Sequence, residues 1–170
     1  MNPTETVEDY YEALRRSDPL SPFFAERDDV VKFGISERLG GYESVAEGLR
    51  EQTRATEDWQ VESRALEVVE RGSEEVAGRK SEEAVGSESE EAVGSESEEA
   101  AGSESVAWFT DDVGLSWIDS DGERQSFDTR WSGVLEIESG RSGAHESESD
   151  EGDERRWRFV QMHVSAPHDL

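Results

Sequence analysis

Residues 106–137 read VAWFTDDVGLSWI-DSDG-E-RQSFDTRWSGVLEI, and this stretch decides the fold. Two runs that read as strands, Val106 to Ile118 and Arg124 to Ile137, flank Asp119-Ser120-Asp121-Gly122, a strong hairpin signal. Outward from the hairpin, Trp59 to Arg71 and Arg156 to Ser165 read as further strands. Nearer the N-terminus the period changes. Val7, Tyr10, Tyr11 and Leu14 fall at i, i+3, i+4 and i+7, which predicts a helix capped by Thr4 and ended by Ser17-Asp18-Pro19. A second short helical piece is expected around Ser21 to Glu26, with Phe23 and Phe24 as apolar bulk. Val30 to Phe33 reads as a short strand closed by Gly34, and Gly40-Gly41 as a turn. Glu43 and Ser44 open a third helix with Val45, Ala46 and Leu49 on one side. Three helical pieces followed by long antiparallel strands predict an α+β fold, the helices packed on one face of a curved sheet.

Two stretches interrupt this pattern. Residues 81–88 read SEEAVGSE, residues 89–96 repeat them identically, residues 97–104 read SEEAAGSE, and Ser73 to Lys80 resembles a decayed copy. A period of eight matches no helical face, its glycines break helices, and its apolar content is too sparse to bury, so 73–105 reads as a disordered, expanded loop. A second Ser-, Gly- and acid-rich stretch spans 138–154. The two hold −9 and −6, and without them 120 residues carry −11 in a more ordinary globular composition. The expectation is a single domain over 1–170 with acidic insertions at two hairpin tips, where loops lengthen at little cost.

The chain carries 43 acidic and 17 basic residues, a net charge of −26, with Lys32 and Lys80 as its only lysines. Such self-repulsion destabilises a compact chain unless salt screens it. Abundant carboxylate with scarce lysine reads as the surface of a salt-adapted protein. It also argues against nucleic acid, because no basic stripe exists to neutralise phosphates. Cysteine is absent, which excludes thiolate chemistry and disulfides. The N-terminus has no signal-peptide pattern, and no apolar run approaches the ~20 residues of a membrane span, so a cytoplasmic location away from membranes is expected.

The segment Val7 to Leu14, followed by Ser17-Asp18, resembles the opening helix of SnoaL-like domains of the nuclear transport factor 2-like, cystatin-like superfamily. Gly41 stands where that family has a glycine before its third helix. Trp157-Arg158-Phe159-Val160-Gln161-Met162-His163-Val164-Ser165 is similar to the family's closing strand, a Trp followed six residues later by His-x-Ser. Trp117-Ile118-Asp119 and His163 to Pro167 also resemble the association domain of calcium/calmodulin-dependent kinase II. The resemblance covers about 120 residues, everything outside the insertions. It implies a cone, with the sheet wrapped around the helices, a pocket at the open end and a dimer through the convex face. The pocket arginines of the kinase relatives have Val113 and Gly133 at the matching positions here, and Arg130 has the opposite strand parity to Gly133. That chemistry does not carry over.

Strand alternation puts Trp157, Phe159, Gln161, His163 and Ser165 on one face and Arg158, Val160, Met162 and Val164 on the other. Both faces carry apolar residues, which suggests that both are covered and argues independently for a homodimer. His163 can act as a general base near neutral pH, or can be a structural histidine bonded to a neighbouring strand or to Tyr10 or Tyr11. Related cones use an inward Asp base with Tyr or Asp donors, for which Asp128 and Asp18 are loose candidates. Tyr10 and Tyr11 can donate to a ligand or simply fill the core. Trp59, Trp108, Trp117, Trp131 and Trp157 can line an aromatic pocket, or fill the cone and the dimer face. His145 and His168 form no spaced pair, no calcium loop is present, and no phosphate loop or nucleophile elbow occurs, so neither metal nor cofactor is expected. The expected function is binding of a small molecule without catalysis. The alternatives are an isomerase, hydratase or cyclase using a pocket acid and base, and a homo-oligomeric assembly domain. An inward Asp–Tyr or Asp–His pair facing an open cavity favours the enzyme, an open cavity without one favours binding, and a filled cavity favours assembly.

Overall fold

A computed structural model describes residues 2–72, 105–138 and 156–167. The acidic repeats, most of the second insertion, His145 and His168 lie outside the described residues.

Helix α1 spans Pro3–Arg16 and begins on a capping box. The Glu5 N–H donates to Asn2 Oδ1 at 2.8 Å, and the Asn2 N–H donates back to Glu5 Oε2 at 2.9 Å. The cap is therefore Asn2 rather than Thr4. Pro3 occupies the first helical position, where its missing N–H is harmless. Ser17 ends the helix in the left-handed region at φ 58°, with the amide that follows, of Asp18, donating to Ala13 O. The second helical piece shrinks to a 3₁₀ turn, Ser21–Phe23. Strand β1 (Val31–Phe33) and strand β2 (Arg38–Gly40) form a short hairpin, so Gly40 closes a strand instead of making a turn. Gly41, at φ 85°, then starts helix α2, Tyr42–Ala55.

The remaining strands are β3 (Glu57–Ser63), β4 (Glu67–Arg71), β5 (Val106–Ile118), β6 (Arg124–Glu138) and β7 (Arg156–Ser165). They form a curved, unclosed sheet in the order β2-β1-β7-β6-β5-β3, with β4 also on β5. The predicted hairpin joins β5 to β6, with Gly122 at φ 81° and Asp119 accepting the Asp121 and Glu123 amides. Two details differ from expectation. The sheet is mixed, because β1 runs parallel to β7, Val31 opposite Gln161 and Phe33 opposite His163. The strand expected over Trp59 to Arg71 is broken, and β3 and β4 pair end to end along the same edge of β5.

The α+β cone is as expected, with two α-helices and the 3₁₀ turn in place of three helices. Val7, Tyr10, Tyr11 and Leu14 from α1 and Val45 and Leu49 from α2 are buried against Phe109, Val113, Leu115, Trp131, Leu135, Phe159 and Met162 of the sheet. Tyr10 sits centrally, edge-on to Phe23, Phe24, Trp131 and Phe159 at 5.4–6.1 Å. Gly133 is required by close approach, since a Cβ there would lie 2.6 Å from both the Gln161 carbonyl oxygen and a Phe109 ring carbon.

Beside Gly133 the β6–β7 register slips: Val134 pairs with Gln161 but Leu135 with Phe159, leaving Val160 as a bulge. The slip inverts side-chain parity along β7. Trp157 and Phe159 face inward before it, and Met162 and Val164 face inward after it. The single face expected for Trp157, Phe159, Gln161, His163 and Ser165 does not exist, and His163 comes out exposed on the convex side. Among the described residues, no helix is long and apolar enough to cross a membrane.

Candidate functional site: the mouth of the cone

At the open end, α1, the β1–β2 hairpin, the end of α2 and strands β3, β5, β6 and β7 surround a cavity of about 160 Å³. Its walls are chiefly apolar: Leu14, Ile35, Leu115, Val164 and three indoles, with Tyr10 on the helix side. Strand parity places Leu115, Trp117 and Trp131 inside.

The indoles are fixed by their neighbours. Trp59 and Trp117 stack at 4.7 Å and 25°, and Trp117 stacks in turn on Phe127 at 5.5 Å and 27°. Trp59 Nε1 donates to Thr56 Oγ1 at 2.8 Å, and that hydroxyl donates to the Gln52 carbonyl at the end of α2. Trp131 Nε1 donates to Thr129 Oγ1 at 2.8 Å, which itself donates to Val113 O at 2.7 Å. A ladder of stacked rings held this way is rigid before any ligand arrives, and loses little freedom when one packs against its edges.

Two charged residues line this cavity, Lys32 and Glu37. Lys32 is central in β1, between Leu39 of β2 and Met162 of β7, and its side chain is 6% exposed. Its Nζ lies 4.0 Å from Glu37 Oε1, the outer limit of an ion pair, and the Glu37 side chain is half-exposed. Burial pulls the Lys32 amine below its ordinary value, and Glu37 offsets this only in part.

Of the residues singled out from sequence, Tyr10, Trp59, Trp117 and Trp131 converge on this cavity. Trp157 is buried in the core at the other end of β7. Trp108 points outward from β5, 36% exposed beneath the Arg71 guanidinium at 5.7 Å. His163 packs its ring 5.5 Å from Phe33 and lines, with Asp111 and Ser165, a separate groove of about 430 Å³. Asp128 is exposed and paired with Arg64 at 2.8 Å, and Asp18 is exposed beyond the end of α1. None of these three lines the mouth.

Tyr11 also lies outside the cavity, and its role is structural. Its hydroxyl donates to Asp111 Oδ2 at 3.0 Å, where Ser63 Oγ also donates at 2.6 Å, while the Ala65 amide donates to Oδ1 at 2.9 Å. Asp111 is 3% exposed, so this carboxylate ties α1 to the break between β3 and β4. Burial, then the Asp111 charge, pushes the Tyr11 phenol well above its ordinary value, and burial alone does so for Tyr10. An inward Asp–Tyr pair thus exists, but its carboxylate has three protein donors and neither partner opens on the mouth.

Sequence reasoning missed Lys32 and Asp111. Lys32 carried a signal: it is one of two lysines against fifteen arginines, set between Val31 and Phe33. Asp111 shares strand parity with Phe109 and Val113, an acid on an apolar face.

Fold and cavity together define a cone-shaped α+β protein with an apolar pocket at its open end. Solved structures of the nuclear transport factor 2-like, cystatin-like class share this fold. A nuclear transport factor 2-like superfamily protein from Salmonella enterica superposes with TM-score 0.58 at 17% identity, over 98% of this chain and 89% of that one. A candidate calcium/calmodulin-dependent protein kinase type II association domain from Thiobacillus denitrificans gives 0.55 at 14%, over 98% and 96%. A candidate scytalone dehydratase from Novosphingobium aromaticivorans gives 0.59 at 9%, over 97% and 81%. No family model and no curated protein matches the sequence.

Proposed function

We propose that this protein binds a small, planar, largely apolar molecule in the mouth of the cone without transforming it. The observation that carries this reading is the cavity of about 160 Å³ walled by the ordered stack of Trp59 and Trp117. That volume suits about one aromatic ring, since an apolar cavity of roughly 150 Å³ accommodates benzene. A non-catalytic role accords with where the acid–base candidates read from sequence fall: His163, Asp128 and Asp18 are outside the mouth, and the Asp111–Tyr11 pair is spent on structure. Single-ring aromatic compounds titrated against tryptophan fluorescence should quench it saturably, and filling the cavity with Val164→Phe should remove the effect. Saturable quenching that survives Val164→Phe puts the ligand elsewhere.

The convex face supports a second, compatible role in self-association. Val69, 44% exposed, lies opposite Trp108 in the β4–β5 register, and Trp108 lies opposite Val134 of β6, so an apolar strip crosses three strands. The likeness to a candidate association domain points the same way. Sedimentation in molar KCl should give a dimer that Trp108→Glu dissociates; a wild-type monomer removes this role.

A further inference from the structure

We propose that the mouth is a carboxylate site, in which Lys32 anchors the acid group of a ligand whose ring lies against Trp59 and Trp117. This rests on the reading of the mouth as a small-molecule pocket and deepens it by naming the ligand's chemistry: a single-ring aromatic monocarboxylate.

The described cations are not all placed alike. Arg15, Arg27, Arg64 and Arg124 each reach a carboxylate from a side chain at least 36% exposed, where water shares the task of solvating both ions, and the less exposed Arg158 meets Glu138 at 3.2 Å. Lys32 differs in every respect. It is the only lysine among the described residues, its side chain is 6% exposed, and its one ionic neighbour stands off at 4.0 Å. An ammonium on a side chain this enclosed, opening only on the cavity and without a close partner, is costly, and among the apolar residues of the wall a methionine would pack as well. A ligand carboxylate at hydrogen-bond distance supplies what the fold withholds, a charge-assisted bond in a site largely screened from water.

Geometry agrees. The amine sits on β1, and the stacked Trp59 and Trp117 stand on β3 and β5 at the far edge of the same cavity, so ring and acid of one small molecule are addressed from opposite walls. Glu37 is the charge that such a ligand displaces. Its Cγ and Oε1 lie 3.0 and 3.2 Å from where a Gly34 Cβ would stand, so it folds back over the hairpin towards Lys32. As an acid beside the anion's seat, it competes with the ligand. The chain's net charge of −26 disfavours anions in general, which leaves selectivity to this one amine.

Benzoate and its neutral analogue benzamide, titrated in molar KCl, separate the possibilities. The wild type should bind benzoate about tenfold or more tightly than benzamide, the scale of a hydrogen bond between charged groups. Lys32→Met should erase that preference and keep benzamide binding. Glu37→Gln, a change at a half-exposed side chain, should tighten benzoate more than benzamide and so widen the preference. Equal affinity for the two compounds in the wild type, or a preference that survives Lys32→Met, overturns the carboxylate site while the pocket stands. Benzoate weakened or unmoved in Glu37→Gln overturns it as well, whether or not Lys32→Met folds. Failure of both compounds to bind overturns the pocket and the proposal together.

Discussion

Asp111 sets the sharpest test of the structural argument, because its three donors differ in what they lose. Ser63 and Ala65 are exposed, so without the carboxylate their hydroxyl and amide can turn to water. Tyr11 is 2% exposed, and its hydroxyl has the least access to water of the three. The cost of Asp111→Ala should therefore fall chiefly on the tyrosine: a buried orphan donor costs about 1–3 kcal/mol, with a smaller addition from the two rehydrated groups. Tyr11→Phe removes one bond to a charged acceptor that keeps its other two donors, a loss of about 1.5–3 kcal/mol. With Tyr11→Phe already in place no orphan phenol is left, so adding Asp111→Ala should cost less there, with a coupling of roughly 1–2 kcal/mol.

The assay is urea unfolding in molar KCl, followed by tryptophan fluorescence, on the wild type, both single variants and the double. A coupling below about 0.5 kcal/mol refutes the tie, since contacting residues that share a bond do not behave as independent sites. Ligand binding at the mouth provides the second arm. Asp111 does not line the cavity, so Asp111→Asn should leave any mouth ligand bound as tightly as before. An Asn variant of normal stability that no longer binds would assign Asp111 to the ligand site and reverse the conclusion that its pairing is structural.

Gly133→Ala drives a methyl to 2.6 Å from a β7 carbonyl and from Phe109, and should lower the stability measured in urea by about 1–3 kcal/mol; an unchanged midpoint means the bulge gives way freely. Lys32→Met should stabilise the apo protein at neutral pH. Burial holds the folded amine below its ordinary 10.5, so the unfolded chain binds the proton more readily, and wild-type stability rises with pH until that value is reached. The gain from Lys32→Met should accordingly shrink between pH 7 and pH 10, and a gain that stays constant or grows contradicts the assignment. With a net charge of −26, the melting midpoint should climb steeply with KCl as the screening length falls from about 10 Å at 0.1 M to about 3 Å at 1 M. A midpoint indifferent to KCl removes the reading of the acidic surface as an adaptation to salt.

What was legible in the sequence follows from the range of each signal. Helix α1 and the β5–β6 hairpin are local: one rests on a 3.6-residue period, the other on a turn that only its own residues specify. Pockets read from residue type fared less evenly. Trp59, Trp117 and Trp131 reach the mouth, while Trp108, chemically identical, faces outward because its parity along β5 is opposite to that of Trp117. The parallel seating of β1 on β7 left no trace in either strand, since a three-residue strand reads alike in both directions.

The instructive error is His163. Strict alternation from Trp157 makes it inward, and alternation holds until one residue is inserted into the ladder. That residue, Val160, is apolar and β-branched and looks like any other strand position; the cause lies on the neighbouring strand. At Gly133 the missing Cβ lets the Gln161 carbonyl and the Phe109 ring come within 2.6 Å of where it would stand. The slip follows one pair further on, between Val134 and Leu135. A glycine in the middle of an apolar strand was thus the available warning, of the kind that marks a bulge or a close approach. Its consequence is functional as well as geometric. By turning His163 outward and Met162 inward, the bulge keeps an imidazole out of the mouth. It puts behind Lys32, at the register partner, an apolar neighbour that offers the ammonium no charge. The same irregularity that defeats the sequence reading also leaves a lysine, rather than a histidine, as the chemistry of the site.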